Sequence, residues 1–83
     1  MITRMYTIRD IIANSYTIPV AYPNDATARR HFEILKEDQQ SIMGARPQDY
    51  EMYYCGEYDM TTGQFTAEYP LIRIDTIKGG TDV

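Results

Sequence analysis

The sequence contains one cysteine, Cys55, one histidine, His31, and no tryptophan. A lone thiol cannot close an internal disulfide or supply the several thiolates of a structural zinc site. Without a second His or Cys, the common pairings for nucleophilic or metal chemistry are missing as well. Long apolar runs are also missing. The longest uncharged stretch, residues 11–24, contains Asn, Ser, Thr and two Pro. It is too short and too polar to span a bilayer, and the opening Met1-Ile2-Thr3-Arg4 has no apolar segment of the signal-peptide kind. Positive charge is in deficit, with 8 Lys and Arg against 12 Asp and Glu and a net charge of −4. Nonspecific nucleic-acid binders usually carry the opposite balance. These absences predict a cytoplasmic protein with no membrane association and no cofactor.

What remains is one small domain, since 83 residues cannot build two cores. Lacking a covalent staple, so small a core predicts a homodimer or higher homo-oligomer. Eight Tyr accompany two Phe. Tyr favours strands, but its large ring and polar tip also serve interfaces and base stacking.

Residues 4–12 read as a first strand, with Tyr6, Ile8 and Ile12 on its inward face. Residues 13–15 form a turn, and 16–22 resume an extended run. Pro19 and Pro23 mark that run as an edge strand or irregular arm. Asn24 is a good N-cap for a helix over 25–38, whose inner face carries Ala28, Phe32 and Leu35. His31 reads as a helix-flank residue packing against the sheet. Residues 39–48 have no period and read as a loop.

Residues 49–58 form the strongest strand pattern. Tyr50, Met52 and Tyr54 lie on one face, and Glu51, Tyr53 and Cys55 on the other. Gly56 marks a bulge or close backbone approach. Residues 59–63 fit a type I turn with a G1 bulge. A strand over 64–69 returns until Pro70 breaks it, and 71–77 is a last extended run. The expected fold class is α+β: an antiparallel sheet of four to five strands with one helix on a face, in ββαββ order. The single domain covers residues 1–78, and 79–83 read as a flexible tail.

Catalysis is not expected. Glu57 and Asp59 sit on a hairpin, without the cleft that splits the pKa values of an acid/base pair. Residues 59–63 also lack the ligand pattern of a calcium loop.

Binding is the better prospect. Six of the eight bases are Arg, which makes bidentate phosphate contacts and stacks on bases. Arg4, Arg9, Arg29, Arg30 and Arg46 are the candidate phosphate contacts, with Tyr6 and Tyr53 as stacking platforms and Tyr58 as a further aromatic. The competing reading is an acidic adaptor or inhibitor, even a nucleic-acid mimic, that occupies another protein's basic groove. Surplus Tyr, Met and Arg suits such an interface.

Four blocks carry a resemblance. They are Tyr6-Thr7-Ile8-Arg9-Asp10, the helix start Asn24-Asp25-Ala26-Thr27-Ala28-Arg29-Arg30-His31-Phe32, the segment Arg46-Pro47-Gln48-Asp49-Tyr50-Glu51-Met52-Tyr53-Tyr54-Cys55-Gly56-Glu57-Tyr58-Asp59, and the turn Thr62-Gly63-Gln64-Phe65. In order and spacing they resemble a small nonstructural protein of gokushoviruses and related microviruses, tailless bacteriophages with circular single-stranded DNA. Cys55, where an aliphatic residue is common, and the segment 73–83 depart from the pattern. The resemblance implies a DNA-binding protein, absent from the capsid, that acts in the host cytoplasm in single-stranded genome synthesis or packaging, and it makes a phage or host replication protein the expected partner of the adaptor reading.

Overall fold

The computed structural model describes residues 1–76. Its order is β1 (Ile2–Asp10), β2 (Ser15–Tyr16), β3 (Val20–Tyr22), α1 (Asp25–Glu37), α2 (Ile42–Ala45), a 3-10 turn (Pro47–Asp49), β4 (Tyr50–Asp59) and β5 (Phe65–Arg73). The five strands form one antiparallel sheet in the order β2-β1-β4-β5, with β3 also pairing to β1. The main helix lies on one face, giving the expected α+β class.

α1 begins where its cap chemistry places it. Asn24 is extended, and its side chain accepts from the Thr27 amide at 2.8 Å, satisfying a first-turn donor. Asp25 adds negative charge to the first turn and Lys36 positive charge to the last. The buried stripe is Ala28 and Phe32, which close on Tyr6, Met52, Tyr54 and Ile74. Leu35 is only half-buried. His31 lies on the flank, its ring 5.3 Å from that of Tyr22 on β3.

The observed strands differ from the sequence expectation in three places. β1 ends at Asp10, because the Asp10 carboxylate accepts from the Ala13 amide at 3.0 Å and Asn14 takes a positive φ of 55°. Ile12 therefore falls in the turn and is exposed. The run 16–22 splits into β2 and β3 around Pro19, which offers no ladder donor. In the third, Pro70 does not end a strand. β5 runs through it, and the register against β4 jumps from Gly56↔Ala67 to Tyr54↔Ile72. Residues 68–71 thus bulge out at the sheet edge.

The expected loop over 39–48 contains α2, capped by Ser41, which accepts from the Gly44 amide at 2.9 Å. Residue 77 and the tail expected over 79–83 lie outside the described residues.

Two glycines hold the β4–β5 hairpin. Gly63 (φ 80°) donates to the Asp59 carbonyl at 2.7 Å, and Asp59 Oδ1 accepts from the Thr61 amide at 2.8 Å. Gly56 (φ 147°) sits at the bulge where Cys55 is the extra residue opposite β1. A Cβ there would collide with the Thr66 carbonyl oxygen and come within 2.9 Å of the Phe65 ring.

Candidate nucleic-acid interface

Residues paired across antiparallel strands share a face. The register therefore sorts the side chains into two sets. Tyr6, Ile8, Tyr50, Met52, Tyr54 and Ile74 face α1. Among the described residues no helix covers the opposite face. Across it run Thr3, Tyr58 and Phe65 in one row, Thr7, Tyr53 and Arg73 in a second, and Tyr16, Arg9 and Glu51 in a third.

This open face carries aromatic rings and guanidinium groups together. Tyr16 is 52% exposed and Phe65 42%. Tyr16 meets Tyr53 edge to face, with centroids 6.1 Å apart. Tyr58 and Phe65 are register partners at the other end.

Glu51 organises the charges. Its Oε2 lies 2.8 Å from Arg73 Nη1, and its Oε1 lies 3.6 Å from Arg9 Nη1. That same oxygen accepts from the Tyr53 hydroxyl at 2.7 Å. The hydrogen bond to Glu51, followed by burial, pushes the Tyr53 phenol above its usual pKa. Arg73 also makes a bidentate contact with Asp75, at 2.8 and 3.2 Å. That pair raises the guanidinium pKa, against an opposing contribution from burial. Arg9 Nη2 donates to Asn14 at 3.1 Å.

The candidate phosphate and stacking residues do not converge on one patch. Tyr6 is 1% exposed, so its ring cannot receive a base. Its stacking role is withdrawn, because it faces α1 and anchors the core. Arg4 is also turned to the helix side. Its Nη2 lies 3.0 Å from Asp25, its Nε donates to the Tyr6 hydroxyl at 2.9 Å, and its guanidinium sits 3.9 Å from the Tyr54 ring centroid. Arg29 points to the Ile74 carbonyl, and Arg30 is exposed on α1. Arg46 is exposed beyond α2. Of the proposed set, Arg9 and Tyr53 share the open face, together with the further aromatic Tyr58.

Sequence reasoning undervalued Tyr16, Phe65 and Arg73. Strand alternation was their signal, but only the register shows that they align with Tyr53 and Tyr58. No group of three or more His, Cys, Asp or Glu placed to hold a metal occurs among the described residues. No helix among them is long and apolar enough to cross a membrane.

Comparison with curated proteins and with solved structures returned no match to either. A family model, Phage ORF5 protein, matches residues 3–78. The matched span takes in the whole of the described sheet and helix except Ile2, so the chain belongs to the Phage ORF5 protein family.

Proposed function

We propose that this phage protein binds single-stranded DNA on the open sheet face, in the host cytoplasm, during viral genome synthesis or packaging. The observation that carries the reading is the alignment of Tyr16, Tyr53, Tyr58 and Phe65 with Arg9 and Arg73 on a face without a helix. Unpaired bases stack on exposed rings whatever their sequence, while Arg contacts the backbone between them. A duplex hides its base faces, so single strands are the favoured substrate.

Binding is modest, because Glu51 and Asp75 already hold both guanidinium groups of the face. A dissociation constant of roughly 1–100 µM at physiological salt is expected, the range of nonspecific binding, with tighter binding at low salt. Fluorescence anisotropy with a labelled oligothymidine tests it. Tyr16→Ala and Phe65→Ala should each weaken binding, and the Arg30→Ala change on α1 should not. No anisotropy change at about 100 µM protein rejects the reading.

The chain is further proposed to act as a homo-oligomer. Tyr69 (88% exposed) and Ile72 stand out on the edge strand β5, and apolar surface at an open sheet edge favours association with a second copy.

A further inference from the structure

On the helix side, β1, β2, α2 and β4 leave a groove of about 340 Å³ that adjoins the open face at Tyr16. Its walls are mainly apolar, formed by Ile8, Tyr16, Ile42, Met43 and Tyr50, with Asp10 at the rim. A second hollow of about 400 Å³ shares Asp10 and Tyr50 and extends past Ile12 to Arg46 and Asp49. Ile42 in the groove and Ile12 in the second hollow are each 76% exposed.

Three charged side chains face this surface: Asp10, Asp49 and Arg46. Among the described residues neither carboxylate makes an ion pair. Asp10 Oδ1 accepts from the Ala13 amide. Asp10 and Asp49 line the second hollow together with Tyr50, whose phenol is pushed above its usual pKa by burial and then by these two carboxylates.

We propose that this groove docks a basic amphipathic helix of another protein, with apolar side chains seated on Ile42 and Tyr50 and Lys or Arg side chains against Asp10 and Asp49. Spaced apolar anchors over a hydrophobic groove are the usual mode of helix capture. Asp10 and Asp49 outnumber Arg46 here, so charge complementarity selects the basic partner and speeds its approach. The same carboxylates repel phosphate, which separates this surface from the DNA face. They also disfavour a second copy, since a two-fold interface sets each patch against its own image. Strand addition has little to build on, because β2 is two residues long.

The test uses the full chain and two synthetic helical peptides of about 18 residues, long enough to form a helix. One places Leu at i, i+3, i+4 and i+7 with Lys elsewhere, and the other replaces Lys with Glu. The Lys peptide should shift amide NMR signals of Asp10, Ile42, Met43 and Tyr50, and the Glu peptide should not. Asp10→Asn and Asp49→Asn should each weaken binding roughly two- to five-fold. Ile42→Ala should cost roughly tenfold, and because Ile42 is exposed its replacement leaves the fold intact. No binding, equal binding of both peptides, or shifts confined to another surface overturns the proposal. Groove signals that change with protein concentration alone, together with a doubled mass in light scattering, also overturn it by assigning the groove to a second copy.

Discussion

The Tyr6 hydroxyl donates to Asp25 Oδ1 at 2.6 Å, tying the middle of the first strand to the first turn of the helix. Arg4 completes the triangle, since its Nε donates to both partners. Burial, then the hydrogen bond to Asp25, raises the Tyr6 phenol to about 12 from an ordinary 10.0. The raised value means that the folded state holds the proton more tightly than the unfolded chain. This contribution to stability is fully present below pH 10, and it is lost as pH rises from there through about 12. Urea unfolding midpoints should therefore fall across that window. Phenolate absorbance should show one Tyr titrating last. Asp25→Ala, which removes the acceptor, should bring that late titration down, and an unchanged profile would contradict the assignment.

Glu51 competes with DNA phosphate for Arg9 and Arg73. Glu51→Gln keeps an acceptor for Tyr53 while removing the carboxylate charge shared by Arg9 and Arg73; Asp75 still pairs with Arg73, so Arg9 is the group chiefly released. Affinity for a labelled single strand should rise several-fold. The slope of log K against log salt should steepen by about 0.7 for each additional phosphate contacted. An affinity that drops while the circular dichroism spectrum is preserved would mean that Glu51 instead positions the two Arg side chains for binding.

Gly56→Ala should be the most damaging small substitution in the sheet. The positive φ strains any side chain, and the new Cβ meets the Thr66 carbonyl on the neighbouring strand. Strain of this kind costs about 1–3 kcal/mol and overpacking about as much again. Gly63→Ala has the strain without the collision, because its nearest neighbour is the Tyr58 hydroxyl at 3.8 Å. It should cost only about 1 kcal/mol. Chemical denaturation of the two variants side by side checks the order.

The proposed self-association predicts a concentration-dependent mass in light scattering. Tyr69→Ser combined with Ile72→Ser should shift the population toward monomer, and both positions are exposed enough to accept the change without unfolding the chain. A monomer mass for the unaltered protein at high concentration would remove this reading while leaving DNA binding on the single sheet face intact.

Much of the scaffold follows from local chemistry. Asn24 fixes the helix start through one side-chain acceptor. Ala28 and Phe32 fix its inner face by spacing. Asp59 and Gly63 close the hairpin with a carboxylate and a positive φ. Each of these depends on residues within a few positions of one another, so the linear order suffices. Pro70 misled because a proline's missing donor matters only where the ladder needs it, and an edge bulge does not.

The sequence by itself determined an antiparallel α+β domain with a Tyr-rich sheet and more Arg than Lys. Alternation puts Tyr6 on the inward face of β1, yet it does not exclude a stacking role for it or say which face of β4 the helix covers. Docking of α1 decided that Tyr6 is core and that Tyr53 is half-open. It also brought Asp25 to Arg4, 21 residues away, while strand pairing brought Glu51 to Arg9 and Arg73. Neutralisation of a guanidinium depends on distance in space, and the partners that set that distance are remote along the chain.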